Sequence, residues 1–399
     1  MILGDKKRFY GLFKTRLAPW IISAIVLLVG LIVTTVLWRD EQQDQVDNLK
    51  AKFEIAADQA ANNILGRLNA YKTIMRGVKG YIDGSDAVTV EEFRTYVQAL
   101  KLQDTKTGVL GIGLVTLVPN AGKAKHIAEI RRSGLPSYDI KPEGQRDVYA
   151  PIVRMEPMTA ENLKALGLDT LTVPAARSAM QRARDSNEVS ITSHFTLAQD
   201  AGKSNVSAFV MYLPIFKNCV KHDTLNARRS AIEGFVDVPF RINDIMESLR
   251  GEFAQDIDLE IYDGKEISDQ LLMYHSDNQT SKSRLAAGML QTQRQLDFAG
   301  NTWMLLVNTT PEFVNSVSNP NQLKIIAWAG SILSLALAML AWILVRGRIV
   351  AKNSYEKLFS QAGEGVLMLS REHRLLDANP AALKMFGYGR EELLKLSLP

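Results

Sequence analysis

The sequence predicts an α+β protein that crosses a membrane twice and places its largest domain outside. Three observations predict this. Two stretches, residues 18–38 and 325–345, carry no charged side chain. A long run of apolar residues at helical spacing follows the first stretch. Between that run and the second stretch, strand-like and helix-like segments alternate. The composition is that of folded protein: 399 residues, 46% hydrophobic and 23% charged, which excludes wholesale disorder and fibrous repeats. A formal net charge of +4 is too small to point to nucleic acid. The single cysteine, Cys219, excludes an internal disulfide framework and any multi-cysteine metal centre.

Each apolar stretch is long enough to cross a hydrocarbon core of roughly 30 Å as a helix, which takes about 20 residues. Trp20 and Trp38 stand near the ends of the first, where amphipathic rings favour the interface. A cleaved signal peptide would be shorter and followed by small residues, whereas Trp38-Arg39-Asp40-Glu41 follows here. Lys6, Lys7, Arg8, Lys14 and Arg16 precede the first stretch, and Arg346, Arg348 and Lys352 follow the second. Asp40, Glu41, Asp44 and Asp47 lie on the other side. The positive-inside bias therefore predicts both termini in the cytoplasm and residues 39–324 outside. This gives a multi-pass layout of cytoplasmic residues 1–17, spans 18–38 and 325–345, a linker 346–353 and a second cytoplasmic segment 354–399. Only Ser23, Thr34, Thr35, Ser331 and Ser334 are polar within the spans, so transport is not expected.

Val46, Leu49, Phe53, Ala56, Ala60, Ile64, Leu68, Tyr71, Met75 and Val78 recur at steps of three or four. They predict one amphipathic helix over roughly 41–80, ended by Gly80 and Gly84. Its stripe suits a core or a dimer seam. Thr89 and Glu92 form a capping box for the next helix. Strands are expected at 108–118, 189–198, 206–216, 232–239, 257–263 and 302–309, with helices at 173–185 and 240–250. The loop at 217–230 is the expected boundary between two subdomains.

The search for chemistry in this region is largely negative. Gly108, Gly111 and Gly113 lack the lysine and helix start of a phosphate loop and read as structural. Asp256, Asp258 and Glu260 alternate along a strand and read as a solvated face. His126, His194, His222 and His275 show no ligand spacing, so no metal is expected. No serine has a nucleophile context, and no catalytic residue or cofactor is expected. The sequons at Asn205, Asn278 and Asn308 matter only on a eukaryotic secretory route.

Residues 148–216 carry an ordered set of motifs. Val148-Tyr-Ala-Pro-Ile-Val-Arg-Met-Glu-Pro157 comes first, then Asn162, Ala165-Leu-Gly-Leu-Asp169 and Val173-Pro-Ala-Ala-Arg177. Ala183-Arg-Asp-Ser186, Val189-Ser-Ile-Thr-Ser-His-Phe-Thr-Leu197 and Met211-Tyr-Leu-Pro-Ile-Phe216 complete it. This resembles the CHASE domain, the extracellular sensor of plant cytokinin receptors and many bacterial receptors. The resemblance implies a stalk helix and two PAS-like subdomains, with ligand in the membrane-distal one. It implies a ligand-binding set of Glu156, Thr192, Ser193 and Phe195. Strand alternation explains Thr192 and Phe195 as well, and capping explains Asn162 and Asp169. The departures around Glu156 favour a small molecule or peptide other than cytokinin.

From Ala351 the pattern is helix, strand, charged turn, strand, helix, with Asn379-Pro380 starting the last. Asn379, Ala381 and Phe386-Gly387-Tyr388 resemble the beginning of a PAS domain, whose later strands would lie beyond residue 399. The resemblances imply the sensory input of a homodimeric receptor in the bacterial inner membrane, in contact with lipid. The output module, a histidine kinase or a diguanylate cyclase/phosphodiesterase, would lie outside this chain. The alternative is a membrane-anchored extracytoplasmic enzyme or a scaffold without a signalling ligand.

Overall fold

The computed structural model describes residues 17–102, 108–203, 206–253, 256–276, 289–371 and 374–395. The basic residues before the first apolar stretch and the sequons at Asn205 and Asn278 lie outside the described residues. The chain divides into two compact units, Asp47–Ser318, and Met1–Val46 with Asn319–Pro399.

In the first of these units the strands are β1 (Ile112–Thr116), β2 (Val118–Pro119), β3 (Val148–Tyr149), β4 (Ile152–Glu156), β5 (Ser190–Ile191), β6 (Ala208–Phe216), β7 (Ile232–Arg241), β8 (Ile257–Asp263), β9 (Leu272–His275), β10 (Gln291–Phe298) and β11 (Asn301–Thr309). They form a five-stranded sheet of order β4-β1-β7-β6-β5, a four-stranded sheet of order β10-β11-β8-β9, and a small β2-β3 pair. The protein is thus mixed helix and sheet.

The two larger sheets share one core, built on the predicted stripe. Leu49, Phe53, Ala56, Ala60, Ile64, Leu68, Tyr71, Met75 and Val78 are all buried, and only Val46 is exposed. The burial of one side chain per turn is what makes this helix stable in water, because propensity alone would not. Aromatic contacts knit the layers together. Tyr71 lies 4.8 Å from Phe240, Phe240 stacks on Phe209 at 5.0 Å, and Phe209 meets the edge of Trp303 of the second sheet at 5.0 Å. Gly80 does not end the helix. It runs to Asp83, where the Gly84 N–H returns to the Gly80 carbonyl at 3.0 Å. The Thr89–Glu92 capping box starts the helix Val90–Ala99.

The subdomain boundary expected near 217–230 is not there. β6 and β7 flank that segment and pair antiparallel, Ala208 with Arg241 through Phe216 with Ile232. The change of sheet comes later, through the helix Ile242–Ser248. A polar excursion between two strands of one sheet has the same composition as a linker. Gly108 has φ +76°, with the Ile245 backbone where a Cβ would go, and Gly113 lies against Asp237.

In the other unit, the helices that contain the two apolar stretches, Ala18–Asp83 and Asn321–Gln361, are long and apolar enough to cross a membrane. Both belong to this unit over their apolar parts. Gly30 abuts Ser334, Gly330 abuts Thr34, and Ser23 Oγ donates to the Ala338 carbonyl at 2.9 Å. Small residues at such crossings let helix backbones approach closely. The short helix expected over 346–357 is the continuation of the second long helix to Gln361. Beyond it, β12 (Leu367–Leu369) and β13 (Leu375–Ala378) form a hairpin ahead of the helix Pro380–Phe386. Buried Asn379 ties them together. Its Oδ1 accepts from the Val366 and Ala382 N–H groups, each at 2.9 Å, and its Nδ2 donates to the Glu364 carbonyl at 2.8 Å.

Candidate functional site

A cavity lies between the five-stranded sheet, the helix Pro174–Ser186 and the segment 195–199. Its walls are mostly apolar, with Ile152, Leu168, Val173, Phe195, Leu197 and Val210. Four polar residues converge on it: Thr170, Gln199, Tyr212 and Asp237. An apolar lining with few polar groups is the usual chemistry of a small-ligand site. Its water-accessible volume is about 30 Å³. One water takes up about 10–15 Å³ by that measure, so a larger occupant requires the walls to move.

Asp237 stands out among these residues. It sits on β7 opposite Gly113 of β1 and Tyr212 of β6. It is 2% exposed, and its Oδ1 has no hydrogen-bond partner. A side chain at position 113 would collide with that oxygen. Burial pushes the Asp237 carboxyl up to about 7, against an ordinary value of 3.8. The Tyr212 phenol is raised well above its usual range by burial and by the neighbouring carboxylate.

Of the four residues singled out from the sequence, Phe195 alone lines this cavity. Glu156 is buried at the end of β4, where its Oε1 accepts from Arg94 Nε at 3.2 Å. Ser193 is exposed. Thr192 is fully buried, and its Oγ1 accepts the Val210 N–H at 3.0 Å. Thr192→Val is expected to cost about 1–3 kcal/mol, because that amide would be left unpaired. Urea unfolding measures the loss, and a change below a few tenths would refute the assignment. Asn162 brackets the chain, donating to the Leu110 and Pro157 carbonyls at 2.8 and 3.0 Å. Asp169 Oδ1 accepts from the Ala150 and Leu171 N–H groups at 2.9 and 3.2 Å.

Asp237 escaped the sequence reading. The available signal was an acidic residue inside Gly234-Phe-Val-Asp-Val-Pro-Phe240, a run too apolar to be half-solvated.

The segment that carries Phe195 is held on both sides. Asp200, fully buried, takes Arg241 Nε and Nη2 at 2.8 and 2.7 Å and Lys203 Nζ at 3.0 Å. Arg241 also reaches Glu161 at 2.9 Å. Burial works against the Asp200 charge, but Arg241 and Lys203 hold its carboxyl below the usual range. Upstream, His194 faces the second sheet. Its backbone N–H and Nδ1 lie 2.7 and 3.0 Å from Asp263 Oδ2, and Asn301 donates to Asp263 Oδ1 at 2.9 Å. The hydrogen bond with Asp263 raises the His194 pKa despite burial.

On the second sheet, Asp258, Glu260 and His275 come together across β8 and β9, with Glu260 opposite His275. Glu260 is buried, so the solvated face expected there is only partial, and His275 is not isolated. His275 Nε2 lies 3.4 Å from Asp258 Oδ2 and 3.6 Å from Glu260 Oε1, an arrangement that can hold a divalent metal ion.

Two segments of the sequence match known families. Residues 86–274 match the family model of the CHASE domain, and residues 353–399 match that of the PAS domain. The chain therefore carries a CHASE domain followed by a PAS segment. No curated protein sequence matches it. Among solved structures, it is similar to an extracellular ligand binding receptor from Desulfohalobium retbaense DSM5692. The identity is 8% and the TM-score 0.39, over 65% of this chain and 40% of that one. It is also similar to the periplasmic sensory domain of the Campylobacter jejuni chemoreceptor Tlp1. There the identity is 13% and the TM-score 0.39, over 70% of this chain and 99% of that one. The chain thus spans 40% of the length of the first of these structures.

Proposed function

We propose that this chain is the input region of a homodimeric membrane receptor that senses a small ligand outside the cell. The observation that carries the reading is the cavity of the CHASE domain, apolar with a few convergent polar groups. Two further features support it. The helix that forms the spine of the domain core begins in an apolar stretch, and a second apolar helix follows the domain. Ile25, Leu28, Ile32, Leu333, Leu337 and Leu344 are exposed along those stretches, which suits lipid rather than water. In this reading residues 39–324 are periplasmic, both termini are cytoplasmic, and the membrane is the bacterial inner membrane. The PAS segment then passes the signal to a histidine kinase or a diguanylate cyclase/phosphodiesterase. Occupancy would bias one of two arrangements of the domain by as much as the ligand's affinity differs between them.

Cys219 provides a direct topological test, because it is exposed and is the sole cysteine of the chain. A membrane-impermeant maleimide added to intact spheroplasts is expected to label Cys219. In a Cys219→Ser background, Lys352→Cys is expected to react only after lysis. The reverse pattern would refute the orientation.

A further inference from the structure

The cavity tells more about its occupant than its size does. A carboxylate taken out of water is costly unless something pairs it. The other deeply buried aspartates of the domain are paired. Asp200 has Arg241 and Lys203, Asp263 has His194 and Asn301, and Asp169, whose Oδ2 accepts no hydrogen bond, has two backbone N–H groups on Oδ1 and Arg146 at 3.5 Å from Oδ2. Among the described residues no basic side chain lies against Asp237 and its Oδ1, beside Gly113, has no hydrogen-bond partner, and the residue borders a cavity. The aromatic rings of Phe195 and Tyr212 border the same space.

We propose that Asp237 is the anchor for a ligand bearing a protonated amine, whose apolar body fills the pocket between Phe195 and the aliphatic wall. This rests on the reading above that the cavity is the ligand site. An ammonium group supplies both the missing hydrogen bond and the missing charge, and aromatic rings attract a cation placed over their faces. An anion would be repelled. A neutral hydroxyl would leave the charge uncompensated. A bare metal ion would find one carboxylate and no more than the neutral oxygens of Thr170, Gln199 and Tyr212, short of the six or more oxygens that calcium takes.

The test uses the full chain in nanodiscs at about pH 8, where Asp237 is ionised and alkylamines are still protonated. Four probe series of matched shape are titrated by calorimetry and thermal shift: isobutyl-, isopentyl- and benzylammonium, with the corresponding alcohols, amides and carboxylates. At least one ammonium probe is expected to bind at least about tenfold more tightly than its neutral and anionic isosteres. Asp237→Asn, which keeps the shape and removes the charge, is expected to abolish that preference. Ala198→Leu, which adds bulk to the cavity lining, is expected to weaken every series. If the neutral or anionic probes bind as well as the ammonium ions, or if the preference survives Asp237→Asn, the ligand class is wrong. In that case loss of binding in Ala198→Leu would still uphold the cavity as the site. If no probe of any charge binds, or if Ala198→Leu has no effect on binding, the cavity reading falls and the ammonium proposal with it.

Discussion

Replacing Arg241 with alanine is expected to lower the unfolding free energy by about 3–5 kcal/mol, the usual consequence of stranding a buried charge. Asp200 is fully buried, and Arg241 supplies two of its three charged hydrogen bonds. The third comes from Lys203, whose side chain is 48% exposed. Lys203→Ala should therefore cost less than about 1 kcal/mol, as solvent-screened pairs do. Urea denaturation of both variants distinguishes the two partners. Equal losses, or a change below about 1 kcal/mol for Arg241→Ala, would mean that the clamp does not hold the segment 195–200.

The second large effect is on pH dependence. The Asp237 carboxyl titrates at about 7 in the folded protein against an ordinary 3.8, because burial disfavours its charged form. Between those values the native state binds the proton and the unfolded chain does not. Stability must therefore fall as pH rises through that window. At 1.36 kcal/mol per unit the accumulated loss is about 4 kcal/mol, complete slightly above pH 7. His194 adds a smaller loss of the same sign, because its raised pKa confers stability that disappears as pH climbs past that value. The difference between wild type and Asp237→Asn removes the histidine contribution. The variant is expected to match wild type near pH 4 and to be more stable near pH 8 by about 4 kcal/mol. Parallel pH profiles would show that Asp237 titrates normally, in contact with water.

The elements that could be read from the sequence were those in which one face is uniformly apolar. From Leu49 to Val78 every third or fourth residue enters the core, so periodicity alone located the spine. The Thr89–Glu92 box and the Asn379-Pro380 start were legible because capping is a local hydrogen-bond pattern. What escaped depends on contacts distant in sequence. The partner of Glu156, Arg94, lies far upstream, so no local pattern encodes their contact. Asp258 and Glu260 looked solvated, because His275 arrives from a strand whose register no local pattern encodes. Asp237 was hidden because β6 and β7 are buried on both faces, and in such strands alternation vanishes. The Gly80 prediction erred because a helix packed from Leu49 to Val78 tolerates a glycine near its end, at a cost of about 1 kcal/mol.

The stretch from Thr192 to Asp200 has almost no slack. Thr192 is fastened to β6, His194 to Asp263, Phe195 to the cavity wall and Asp200 to Arg241, one anchorage every few residues. Neighbouring Cα atoms are held about 3.8 Å apart, so a ring pushed aside at 195 cannot be accommodated by paying out chain. Any backbone displacement that the ring's own rotation does not take up is passed to His194 and to the strand that carries Asp263. A guest large enough to prise open the cavity would therefore be felt as tension on the second sheet one residue away, with no intervening relay.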